Sequence, residues 1–121
     1  MGPIWDFDHS FGNYIHKGAE IPEGFYVRNL FWINRLFEDP IFCNAVRSRF
    51  DYFYSNRHSI LNEINENANY LKYSSEENNN KWGTLYTFMW NDLTIWGSYQ
   101  NEVEYMKEWL IKRLEWLHNN L

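Results

Sequence analysis

From residue 26 onward, apolar residues recur every three to four positions, the period of one face of an α-helix. Leu30, Ile33, Leu36 and Phe37, with Trp32 beside them, predict a short amphipathic helix. Asp39-Pro40 predicts the start of a second. Aspartate caps free backbone N–H groups, and proline at the first helical position gives up no hydrogen bond. Phe42, Ala45, Val46, Arg49, Phe50 and Phe53 then follow helical spacing until about Ser55-Asn56. A third helix is expected after Ser59, with Ile60, Ile64, Ala68 and Leu71 on one face. Glu76 to Gly83 is polar and predicts a loop. The stretch 82–97 carries Trp82, Tyr86, Phe88, Trp90 and Trp96 without a clean period and is expected to be irregular. The clearest helix spans 98–119. Its apolar stripe is Val103, Met106, Leu110, Leu114 and Leu117, continued by Leu121. Its wet side carries Glu102, Glu104, Lys107, Glu108, Lys112 and Arg113. Glu108 and Lys112 form an i,i+4 pair in the favourable order, worth a few tenths of a kcal/mol.

The head, residues 1–24, has a different rhythm. Gly2, Pro3, Gly12, Gly18, Pro22 and Gly24 interrupt it too often for a helix. Ile4-Trp5-Asp6-Phe7-Asp8 alternates apolar and acidic residues, a period of two, and predicts a short strand. Ser10-Phe11-Gly12-Asn13 predicts a turn. The expected fold is therefore mainly α, with a short N-terminal β-strand or hairpin head (1–24) and a helical bundle (25–121).

Composition narrows the function classes. The 121 residues carry a net charge of -5. That balance argues against a nucleic-acid binder, which needs a basic face. No apolar run approaches the ~20 residues that span a bilayer, and Met1–Asn13 lacks the basic start and apolar stretch of a signal peptide. One cysteine excludes an internal disulfide framework and a cysteine zinc cluster. Aromatics reach 21%, and asparagine is abundant, as in Asn78-Asn79-Asn80. So much ring area either lines a ligand groove or packs against something outside these residues.

Candidate chemistry concentrates in Asp6-Phe7-Asp8. Alternation puts both carboxylates on one side of the strand, where they suit a hard divalent cation such as Mg²⁺ or Mn²⁺. The same spacing suits two solvent-facing acids at a strand end, and the pattern leaves both readings open. His9 and His16 flank the acidic strand and could join a metal site there, though without the spacing of a helical zinc pair they suit a surface role as well. His58 and His118 fall at helix ends, where a cationic imidazole can favour the dipole. Cys43, beside Phe42 and Ala45, reads as a small core residue. No Gly-rich phosphate loop, Ser-x-x-Lys or His-Glu-x-x-His pattern occurs. The rings of 82–97 suit either a sugar-stacking platform or a cover for one end of the helical core.

Gly2-Pro3-Ile4-Trp5-Asp6-Phe7-Asp8, closing with Phe11-Gly12-Asn13, resembles the opening segment of the spore coat protein CotH family, which are atypical, kinase-like proteins. Trp32 to Phe42, with its Arg35-Leu36 and Asp39-Pro40, is similar to the family's next helix start. Val46 to Phe50, with Arg49, resembles the turn that follows. Gly97-Ser98-Tyr99 through Glu102-Val103, Leu110, Arg113 and Trp116-Leu117 resembles the closing helix. The likeness runs in order over nearly the whole chain. His9 departs from the apolar or small residue expected at its position.

The resemblance implies that Asp6 plays the part of the aspartate of the kinase Asp-Phe-Gly motif, holding the metal that bridges ATP phosphates. Asp8 would be a second ligand or an orienting group, and Asn13, with His9, a supporting residue. It further implies that the phosphate-covering loop, the Lys–Glu pair and the catalytic Asp precede these residues. The chain then corresponds to a C-terminal fragment of a kinase-like domain, resembling part of its C-lobe and inactive alone. The full-length parent would use ATP with Mg²⁺ or Mn²⁺ on a protein substrate, with no cofactor held tightly by the fragment. Expected partners are the rest of the same domain and, through an exposed aromatic face, another copy. The family implies an extracytoplasmic, secreted, cell-surface or spore-coat location. The alternatives are a non-catalytic module that binds glycan or protein, and a structural, self-associating piece.

Overall fold

A computed structural model describes residues 10–16, 18–90 and 92–121. The described residues are mainly helical and contain no strand. A 3₁₀ turn, Tyr26–Asn29, leads into α1 (Phe31–Leu36). Then come α2 (Pro40–Ser55), α3 (Arg57–Trp82), a second 3₁₀ turn (Thr84–Tyr86) and α4 (Tyr99–Asn120). Helices α2, α3 and α4 contact one another, whereas α1 packs mainly on the 3₁₀ turn before it.

Local chemistry sets most of these boundaries. Asp39 Oδ1 accepts the Ile41 N–H at 2.8 Å and caps α2, with Pro40 at the first position. Ser98 Oγ accepts the Asn101 N–H at 3.1 Å and caps α4. A single residue, Asn56, separates α2 from α3. Its side chain donates to Tyr52 O at 2.8 Å and closes α2, so α3 begins at Arg57 and not after Ser59. His58 thus sits in the first turn of α3, the end that disfavours a cation. His118 lies in the last turn of α4, as the dipole argument expects. There it stacks on Tyr54, with centroids 3.9 Å apart, and Arg47 Nη1 donates to its carbonyl at 2.7 Å.

The expectation for the polar stretch before Gly83 needs correction. Glu76 to Trp82 is not a loop: α3 continues through Trp82. Gly83 ends it in the left-handed region at φ 64, its N–H donating to Asn79 O at 2.7 Å. The Asn79 side chain accepts the Leu85 N–H at 3.0 Å, so an asparagine that reads as loop-forming instead ties the helix end to the next turn. The expected strand over Ile4–Asp8 lies outside the described residues. In the described part of the head, no hairpin forms. Ser10–Asn13 is a turn, as expected, closed by Asn13 N–H donating to Ser10 O at 3.2 Å. Beyond it, the carbonyls a second strand would use are taken by side chains of α4. Of the stretch 82–97 expected to be irregular, 87–90 and 92–97 are so, whereas Trp82 closes α3 and Thr84–Tyr86 forms a 3₁₀ turn.

The packed interior is thin. Among the described residues, only Val103 and Leu114 are buried apolar side chains, both on the predicted stripe of α4. Phe31 is 88% exposed, Ile41 80% and Trp32 64%. The accessible surface is 9288 Å², against about 7000 Å² for a compact monomer of this mass. The aromatic excess is therefore largely on the outside, including Phe88 and Trp90 of the irregular segment, which do not roof the helical core. Cys43 is half-buried, its thiol donating to Phe37 O at 3.2 Å. Among the described residues, no helix is long and apolar enough to cross a membrane.

Candidate functional site

One face of α4 is built to hold the head. Tyr105, Trp109, Arg113 and Trp116 are spaced four, four and three residues apart, so they line one side of the helix. Each of the first three carries a polar tip on an apolar body, and each tip reaches a head carbonyl. Tyr105 Oη donates to Gly12 O at 3.1 Å. Trp109 Nε1 donates to Glu20 O at 2.9 Å. Arg113 Nη1 donates to Pro22 O at 2.8 Å and to Gly24 O at 2.6 Å. The bodies pack in the same register. Phe11 meets Trp109 edge-on at 6.1 Å, Phe25 meets Trp116 at 4.8 Å, and the Arg113 guanidinium lies over the rings of Tyr26 and Trp116. Trp96, from the irregular segment, stacks on Tyr105 at 4.3 Å.

Gly12 is the closest point of this contact. It is buried and left-handed at φ 79. A Cβ on it would sit 2.6 Å from Trp109 Nε1 and 2.7 Å from Tyr105 Oη. Phe11 is also left-handed at φ 55, an uncommon state for a bulky residue. Positive φ at both central positions marks the mirror-image turns that need glycine. The turn that follows Asp6–Asp8 in the chain is thus over-determined: two left-handed residues, one of them under two α4 rings.

A groove of about 310 Å³ opens between this turn and the start of α4, lined by Ser10, Asn13, Glu102 and Tyr105 among others. Asn13 and Glu102 also border a smaller hollow with Asp92. Burial, and secondarily the Asp92 charge, push the Glu102 carboxyl above its ordinary pKa, while a backbone hydrogen bond at Trp96 acts in the opposite sense. Burial, with Glu20 adding to it, raises Tyr105, so its hydroxyl stays protonated and able to donate to Gly12. Burial lowers Arg113, opposed by Tyr26 and Glu23.

Of the residues singled out from the sequence, Asp6, Asp8 and His9 lie outside the described residues. Asn13 is exposed at the end of the clamped turn. The oxygen donors beside it are Glu102 and Asp92, and no group of three or more His, Cys, Asp or Glu among the described residues could hold a metal ion. His16 is exposed, with its ring 5.0 Å from Tyr14 and 6.1 Å from Trp90. Sequence reasoning missed Tyr105, Trp109 and Glu102. The available signal was polar-tipped residues at four-residue spacing, flanking the apolar stripe of α4.

The family described as CotH kinase protein matches residues 1–117 of the chain. No curated protein and no solved structure matches it.

Proposed function

Since the chain belongs to the CotH kinase family, we propose that it supplies the metal-binding segment and part of the helical lobe of an atypical kinase-like domain. The observation that carries this reading is the family match over residues 1–117, which includes Asp6-Phe7-Asp8 and the clamped turn after it. Two carboxylates two residues apart form an oxygen donor set that fits Mg²⁺ or Mn²⁺. In this reading Asp6 is the ligand and Asp8 a second ligand or orienting group. The bound metal would neutralise charge on ATP phosphates. The chain's own residues do the positioning. Gly12 lets the turn approach Trp109, the Tyr105 hydroxyl holds its carbonyl, and Asn13 closes it. Ligands anchored to a fixed turn lose less freedom on binding than ligands on a loose one.

The other kinase parts come, in this reading, from the rest of the domain in the full-length protein. They are the phosphate-covering loop, the Lys–Glu pair and the catalytic Asp with its Asn. The exposed apolar side chains of this segment, Val27, Leu30, Phe31, Trp32 and Ile41, support that arrangement, because exposed apolar clusters mark interaction surfaces. The full protein would transfer a phosphoryl group from ATP to a protein at the cell surface or in the spore coat, and residues 1–121 alone would not.

Calorimetric titration of the full-length protein with Mn²⁺–ATP tests the reading. Saturable binding that Asp6→Ala abolishes is expected. Glycan binding with no nucleotide binding would replace it with the non-catalytic module.

A further inference from the structure

Where two helices face each other, the facing stripe is normally apolar. The stripe of α3 that faces the start of α4 is not: it carries Asn65, Asn69, Lys72 and Glu76. None of these four side chains makes a hydrogen bond among the described residues. They wall a crevice of about 480 Å³, within the size range of small-ligand sites. Two tyrosines frame it. Tyr99 Oη donates to Ala68 O at 3.2 Å and fixes the first turn of α4 against α3. Asn79 holds the Leu85 N–H, and through it the 3₁₀ turn, so that Tyr86 stands at the mouth, 64% exposed. Asn79, from the asparagine run in the last turns of α3, thus helps to build this wall.

We propose that the crevice between α3 and the start of α4 binds a neutral saccharide. Three properties of the wall select that class. Its charges cancel, with one lysine and one glutamate a helical turn apart, so neither an anion nor a cation is favoured. Its wall carries the amides of Asn65 and Asn69, which both donate and accept, as sugar hydroxyls do, and that of Gln100, whose Nε2 donates to Glu104 at 2.7 Å. Its exposed Tyr86 ring offers a flat apolar surface with a polar tip, matching the C–H face of a pyranose. An extended peptide would need apolar pockets for alternate side chains, whereas the aliphatic side chains lining the crevice are only Ala68, Leu85 and Val103. The proposal stands apart from metal and nucleotide binding and does not depend on them.

The test is an amide ¹H–¹⁵N titration of the 121-residue chain with chitotriose, maltotriose and cellotriose, and with a neutral peptide of alternating polar and apolar residues. At least one trisaccharide should shift the amides of Tyr86, Tyr99 and Gln100 saturably. Tyr86→Ala should weaken that binding about tenfold, the loss of one ring contact, and Asn69→Ala should weaken it as well. Both sites are exposed, so unchanged circular dichroism shows that the fold is retained. The proposal is overturned if no trisaccharide shifts these amides, if the shifts survive Tyr86→Ala unchanged, or if the peptide binds there in preference.

Discussion

Replacing Gly12 with alanine attacks the point where the head meets α4. Two costs act together. Holding an L-residue at φ 79 costs about 1–2 kcal/mol. The new Cβ also lands on the Trp109 and Tyr105 side chains, and forcing a filled site apart costs about 1–3 kcal/mol. Moving those rings strains the Tyr105–Gly12 and Trp109–Glu20 hydrogen bonds, each worth about 1 kcal/mol. Gly97→Ala separates the two costs. Gly97 has φ 76, and nothing lies within 4 Å of its Cβ position. It therefore carries the backbone cost alone, about 1–2 kcal/mol. The gain from a stiffer unfolded chain is common to both variants and cancels in the comparison. Gly12→Ala should thus cost about 2–4 kcal/mol more than Gly97→Ala, unless the head peels away first, which caps the loss at the free energy of that local opening. Urea denaturation reads the global loss. Amide hydrogen exchange at Asn13 and Ile21, whose N–H groups bond within the head, reads the local one. Equal effects of the two substitutions in both measurements would refute the clamp.

Three further outcomes follow from the same contacts. Arg113→Lys keeps the charge but cannot reach both Pro22 O and Gly24 O while lying over two rings. It should cost about 1–2 kcal/mol in chemical denaturation and loosen exchange at Ile21. Glu102 binds its proton more tightly in the folded state than in the unfolded one, so its ionisation costs stability as pH rises from below the unfolded pKa through the folded one. Glu102→Gln should therefore raise the melting temperature at neutral pH, and the gain should vanish in buffer acidic enough to protonate the wild-type group in both states. Ser98→Ala removes the acceptor of the Asn101 N–H and should cost about 1 kcal/mol, read as a lower thermal midpoint by circular dichroism.

Helix periods and caps were readable because they depend on near neighbours. Asp39-Pro40 and Ser98 stand where they were expected, and Val103 and Leu114 are the buried residues of the predicted stripe. Where the reading failed, a tertiary or capping contact outweighed local preference. The polar run to Trp82 stayed helical because Gly83 and the Asn79 side chain close its end. The described head formed no hairpin because α4 side chains, some ninety residues away in sequence, take its carbonyls. Asp6-Phe7-Asp8 lies outside the described residues, and its metal role is a proposal drawn from residue type, spacing and the family match. The residues that hold the following turn, Tyr105 and Trp109, looked like ordinary helix surface, since nothing local marks a side chain whose partner is Gly12 or Glu20.

In the proposed function, Asp6 is the metal ligand of a phosphoryl-transfer site in the full-length protein. Transfer from γ-labelled ATP to protein in the presence of Mn²⁺, compared between the wild-type full-length protein and Asp6→Ala, tests it most directly. Labelling by the wild type and a loss of two or more orders of magnitude in the variant, on the scale of losing a metal's electrostatic stabilisation, is the predicted result. Equal labelling by the two proteins would contradict it.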